Sequence, residues 1–241
     1  VTDDRWRELA QDTVLLDGFH ALKHALRFGA RVPLAVAADK AAALGRARRL
    51  APDLAGPLDA LLTETGAEGL RRLVPRPHPT GVAALAVPDP RPPAAAPGRT
   101  APVVLLDDPR HLGNMGAVIR LAAGMAAAGV VTTGTADPWH PAVLRAAAGL
   151  HYALPVSRRD AASPPDGPLY ALDPAGRDIA SVRPVPGAVL AFGSERAGLS
   201  DATRARATEL VSLPMRPGVS SYNLATSVAM TLYHWRAGTP R

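Results

Sequence analysis

The chain has 241 residues, 47% of them hydrophobic, which fills the core of two small domains or one medium one. Its 27 basic and 21 acidic side chains leave a formal charge of +6, and Lys23 and Lys40 are the only lysines, so nearly all of the positive charge is arginine. The lack of cysteine excludes disulfides, thiolate metal sites and a cysteine nucleophile, and no apolar run approaches the ~20 residues of a membrane span.

The N-terminal "VTDDRWRELAQD" is acidic where a signal peptide would be basic and then apolar, so a cytoplasmic protein is expected. Next, "DGFHALKHALRFGA" predicts a helix with Phe19, Leu22, Ala25 and Leu26 on one stripe, His20, Lys23, His24 and Arg27 on the other, and Gly29 as its stop. The basic face either meets RNA or is simply solvated. "VPLAVAA" (32–38) and "GVAALAV" (81–87) predict short buried strands, with helices near 40–50 and 56–73, which together make a small α/β domain over 1–87. The stretch 88–101 is dense in proline and small residues and is expected to be a linker.

From 102 to 241 the pattern alternates more strictly. Strands are expected at 102–107, 129–134, 151–156, 169–173, 188–193 and 210–215, with helices at about 116–128, 141–149, 200–207 and 223–236. Apolar strands joined by helical crossovers mean a mainly parallel sheet covered on both faces, with ligands held in the loops at the strand C-termini.

Three of those loops stand out: "DDPRHLGNMGAVIR" (107–120), "GSERAGLS" (193–200) and "LPMRPGVSSYNLATS" (213–227). Each combines glycines, where backbone turns sharply or approaches a ligand, with a polar side chain. The first lacks both the Gly-Lys-Ser/Thr ending of a P-loop and the G-x-G-x-x-G of a dinucleotide fingerprint. Each loop also has a purely structural alternative. Gly113 and Gly116 could only start a helix, Arg120 could be solvated, and Ser221 and Asn223 are natural helix caps. Glu195, between two glycines, suits a cation, a substrate hydroxyl or an arginine.

In this order and spacing the three loops resemble the SpoU family of RNA ribose 2′-O-methyltransferases, within the knotted SPOUT superfamily. The matching residues are Asn114, Gly116 and Arg120; Gly193, Glu195 and Gly198; and Pro214, Met215, Ser221 and Asn223. "TADPWHPAVLRAAAG" followed by "LPV" is similar to the family's segment between the first two motifs, and the likeness covers about 102–236. More loosely, "LLDGFHALKHALRFGA" and "HPTGVAALAV" resemble the ribosomal-protein-like RNA-binding domain that many members carry.

The resemblance implies a trefoil-knotted, parallel-sheet α/β methyltransferase domain over 102–241, an exception to the rule that chains do not thread loops. It also implies S-adenosyl-L-methionine bound in the knot by Gly134, Gly193, Leu213, Met215 and Tyr222, where the family usually has leucine at position 222. Arg120 would face the target hydroxyl. A guanidinium, with a pKa of about 12.5–13.8, is a poor base, so it is expected to hold the ribose and its phosphate. Glu195, Asn114, Ser221 and Asn223 would then align the hydroxyl. No metal is implied. The expected partners are RNA, ribosomal RNA ahead of transfer RNA, and a second copy in a homodimer through the knotted domain. A transfer RNA methyltransferase, or an RNA-binding protein that keeps the fold without the reaction, is the alternative.

Overall fold

The computed structural model describes residues 2–183 and 185–238. The chain divides into two compact units, Val1–Asp89 with Trp139–Ala153, and Pro90–Pro138 with Leu154–Arg241.

In the first unit α1 (Thr2–Leu9) and β1 (Val14–Asp17) precede α2 (Phe19–Arg27), β2 (Leu34–Ala37) and α3 (Lys40–Leu50). They are followed by α4 (Ala55–Leu61), β3 (Leu62–Glu64), α5 (Gly66–Leu73) and β4 (Val82–Ala86). The sheet order is β1-β4-β2-β3, with β4 antiparallel to both neighbours and β2 parallel to β3. Trp6, Val36, Leu70, Val74 and Leu85 pack into one core cluster. The single helix expected over 56–73 is two helices split by a strand. Leu62 is buried, Thr63 pairs with Val36, the Thr65 N–H donates to the Ala37 carbonyl at 2.9 Å, and Gly66 restarts the helix at φ 71°. Sheet pairing overrides helical periodicity there. The sequence reading also missed α1 and β1.

The second unit begins within the proline-rich stretch. Arg99, 5% exposed, donates to the carbonyls of Ala94, Asp166 and Gly187 and pairs with the Asp166 carboxylate at 3.2 Å. These contacts pin the stretch against the unit, so it is not a free tether there. β5 (Val103–Leu106), α6 (Leu112–Gly124) and β6 (Gly129–Thr132) follow. α7 (Pro141–Ala146) returns to the first unit, where Arg145 pairs with the buried Asp17 at 3.1 Å and Tyr152 donates to the Val87 carbonyl at 3.0 Å. The strand expected at 151–156 is instead a 3-10 turn, Leu150–Ala153, whose Tyr152 ring packs edge-on against Trp139. The chain then runs through β7 (Val156–Arg158), β8 (Leu169–Asp178), β9 (Val189–Phe192), α8 (Asp201–Arg206), β10 (Glu209–Ser212) and α9 (Leu224–Ala237).

These six strands form a sheet in the order β10-β8-β9-β5-β6-β7, parallel throughout. β5, β6 and β9 are buried along their whole length, as a parallel sheet with both faces covered requires. β8 outlasts its expected end at 173. Its pairing to β10 breaks after Ala171 and resumes at Arg177, with Pro174–Gly176 carrying the excursion between. The expected α/β class and parallel sheet are both present.

Candidate functional site

All the unusual loops leave the C-terminal ends of parallel strands. α6 starts at Leu112, four residues earlier than expected, because His111 caps it: its Nδ1 accepts from the Asn114 N–H at 3.1 Å. Gly113 and Asn114 therefore lie in the first helical turn, and the Asn114 side chain projects from a rigid base. After β9 the chain folds back on itself through paired Ser194 and Gly198 main-chain bonds, each 3.0 Å. A Cβ at Gly193 would overlap the backbone of Gly198 and Leu199, so only glycine fits there. After β10, the Tyr222 hydroxyl donates to the Pro214 carbonyl at 2.9 Å and closes the loop. Asn223 caps α9, its Oδ1 accepting from the Ala225 and Thr226 N–H groups at 2.9 and 3.4 Å.

These loops line a cleft of about 1170 Å³. Inside it the three motifs meet on one residue. Asn114 donates from Nδ2 to Glu195 Oε1 at 2.9 Å and accepts at Oδ1 from Asn223 Nδ2 at 3.1 Å. Because the Asn223 oxygen is committed to the helix cap, its nitrogen must face Asn114, and that fixes the Asn114 amide with its nitrogen toward Glu195. Burial pushes the Glu195 carboxyl up. Donation by the Asn114 side chain and by the N–H groups of Glu195 itself, Arg110 and His111 outweighs it, holding the carboxyl below its ordinary value.

Of the residues singled out in the sequence, Asn114, Gly193, Glu195, Leu213, Met215, Ser221, Tyr222 and Asn223 line this cleft. Arg120 and Gly134 are not among the lining residues. Arg120 is exposed and six residues beyond Asn114 on the same helix, which turns it about 120° around the axis. It has no hydrogen bond or ion pair among the described residues. Gly134, at φ 77°, lies against the Asp108 carboxylate, which a Cβ would strike. The sequence reading missed Asp108, Arg110, Asp173 and Arg196, which also line the cleft. Asp173 is buried and paired with Arg204, an arrangement made by the β8 excursion and without a local sequence signal. Among the described residues no group of three or more His, Cys, Asp or Glu side chains could hold a metal ion, and no helix is long and apolar enough to cross a membrane.

A family model described as the SpoU rRNA methylase family matches residues 101–233. The chain belongs to that family. The 23S rRNA (adenosine(1067)-2′-O)-methyltransferase of Streptomyces laurentii is 33% identical to it over 141 residues, 54% of this chain and 52% of the relative. RlmP of Bacillus subtilis, a 23S rRNA (guanosine(2553)-2′-O)-methyltransferase, is 33% identical over 144 residues, 56% of this chain and 57% of the relative. The chain thus spans about half the length of the curated relatives it matches. Among solved structures, the SpoU methyltransferase AviRb from Streptomyces viridochromogenes, in complex with the cofactor AdoMet, aligns with a TM-score of 0.76 at 24% identity, covering 98% of this chain and 96% of that one. The AdoMet-bound rRNA methyltransferase from Sinorhizobium meliloti aligns with a TM-score of 0.79 at 22% identity, covering 99% and 95%. At these identities the likeness establishes a shared fold, that of the SpoU methyltransferases.

Proposed function

We propose that the protein is an S-adenosyl-L-methionine-dependent RNA methyltransferase that methylates a ribose 2′-hydroxyl, in ribosomal RNA ahead of transfer RNA. The observation that carries this reading is the line Glu195–Asn114–Asn223, which gathers one residue from each motif loop in a single cleft. The relatives named for 23S rRNA support the choice of RNA.

The cleft exceeds the roughly 300–1,000 Å³ common for one small ligand, leaving room for a cofactor beside a nucleotide. The tight Gly193 turn, with Leu213, Met215 and Tyr222 on the wall, suits an adenosine moiety read by main-chain groups and apolar surface. Gly134 acts from behind that wall by letting Asp108 approach. When bound, the cofactor supplies an electrophilic methyl group on a sulfonium. The chain's own residues orient the acceptor: Glu195 presents an ionised oxygen able to accept from a ribose hydroxyl, and Asn114 and Asn223 stop that carboxylate from rotating away. Ser221 adds a hydroxyl on the same wall. Such alignment is a large source of rate, since effective molarities reach the order of 10⁵ M and above. Arg120, exposed and without an ion pair among the described residues, holds the phosphate next to the target ribose.

The same reading includes a trefoil knot in the 102–241 domain, a homodimer through that domain, RNA held by the N-terminal domain over 1–87, a connecting segment at 88–101, and action in the cytoplasm without a metal. Calorimetric titration with S-adenosylmethionine and S-adenosylhomocysteine, followed by methyl transfer to ribosomal and transfer RNA, tests it. One site per chain and label in ribose 2′-O positions of ribosomal RNA are expected. Absence of cofactor binding both with and without RNA would leave an RNA-binding protein of the same fold.

A further inference from the structure

The Gly193–Ser200 loop carries Glu195, and both of its ends hang on Asp107, a residue outside the three motifs' matching positions. Asp107 directly follows β5 and is 4% exposed. Its N–H donates to the Phe192 carbonyl at 2.8 Å, where the loop begins. Its Oδ2 accepts from the Ser200 N–H at 2.8 Å, where the loop ends. Its Oδ1 accepts from the Thr133 hydroxyl at 3.2 Å, and that hydroxyl oxygen also accepts from the Asp108 N–H at 3.0 Å. Asp107 therefore links the end of β5 to β9 through its main-chain N–H, and through its buried carboxylate to Thr133 just beyond β6 and to Ser200 at the far end of the loop. Ser200 in turn caps α8 through Thr203, so the far end of the loop is fixed on both sides.

We propose that Asp107 is a positioning residue for methyl transfer: it clamps the loop through Ser200 and so sets Glu195 at hydrogen-bonding distance from Asn114. A neutral side chain of the same shape replaces it only in part. An asparagine can keep its oxygen on the Ser200 N–H by turning its NH₂ to the Thr133 hydroxyl, but that hydroxyl then loses its acceptor and the charge-assisted bond to Ser200 becomes a neutral, weaker one. Burial pushes the Asp107 carboxyl up, but donation from the Ser200 N–H and the Thr203, Ser200 and Thr133 hydroxyls outweighs it, so the group is built to be charged.

The inference rests on the methyltransferase reading, and its test has one arm independent of that reading. Amide hydrogen exchange on the full chain is expected to speed up by about tenfold or more at 194–200 in Asp107→Asn, with 103–106 and 129–132 unchanged. In the activity arm, Asp107→Asn is expected to lower kcat by about tenfold or more while the KM for S-adenosylmethionine moves by less than about threefold. In a Glu195→Gln background the same substitution should cost little further, because Asp107 acts through Glu195. Additive losses in that cycle, or unchanged exchange at 194–200, would overturn the proposal. If Asp107→Asn does not fold, Asp107→Ser, which is shorter, adds no volume and lets go of the Ser200 N–H, is held to the same criteria. A wild-type protein that transfers no methyl group sinks the functional reading alone, and the exchange arm still judges Asp107.

Discussion

Asn223 Nδ2 donates to Asn114 Oδ1 at 3.1 Å, across 109 residues of chain, while its own Oδ1 caps α9. The two duties can be separated. Asn223→Asp keeps a good capping oxygen, so the unfolding temperature should stay near that of the wild type. It removes the donor to Asn114, whose one NH₂ group cannot turn toward a carboxylate at 223 and toward Glu195 at once. Methyl transfer is expected to fall by about a hundredfold. Asn223→Ala should lose both, with about 1 kcal/mol of stability gone as well. Thermal melts and single-turnover rates on the two variants check this, and equal melting losses in both would contradict the division of roles.

Arg120 tests the assignment made from the family motif. Because it is exposed and has no ion pair among the described residues, Arg120→Ala should change stability by no more than about 0.5 kcal/mol. S-adenosylmethionine affinity should also be kept, since Arg120 is not in the cleft wall. Methyl transfer should drop by about a hundredfold or more. Titration calorimetry and a transfer assay separate these, and joint loss of cofactor binding and activity would count against the phosphate-holding role.

Tyr222 closes the 213–223 loop with a single hydroxyl bond to Pro214. A neutral hydrogen bond contributes about 0.5–1.5 kcal/mol net. Tyr222→Phe should therefore weaken cofactor binding by up to about tenfold while leaving the ring in the wall. Dissociation constants from calorimetry decide it. A tighter-binding Phe variant would show that the clasp holds the loop away from the cofactor.

The pH dependence of stability follows from Asp107. Its carboxyl lies below the ordinary aspartate value of 3.8 in the folded protein. The unfolded chain therefore takes up its proton first as pH falls. The stabilisation is fully present above 3.8 and is lost as pH drops through the folded value. The unfolding free energy of the wild type should exceed that of Asp107→Asn by about 1–3 kcal/mol at neutral pH. Urea melts of both proteins from pH 7 to pH 3 should show the gap steady at first and shrinking below 3.8. A gap that grows with acid would contradict the sign.

The sequence alone determined the alternation of apolar strands and helices beyond 102, the α/β class, and the three loops whose order marks the family. Each of these is a local pattern: neighbours along the chain set the burial period, and a glycine next to a polar residue shows a sharp turn wherever it occurs. Only the tertiary structure decided which of those residues meet. Asn114 and Glu195 are 81 positions apart, and they touch because parallel pairing makes β5 and β9 neighbours. That pairing also gives Asp107 its role, although by sequence it is one more acid after an apolar run. The same logic explains the misreadings. Helical periodicity at 56–73 lost to pairing with β2, the strand expected at 151–156 lost to ring packing on Trp139, and Arg120 turned away from Asn114 because six residues do not complete a whole number of helical turns.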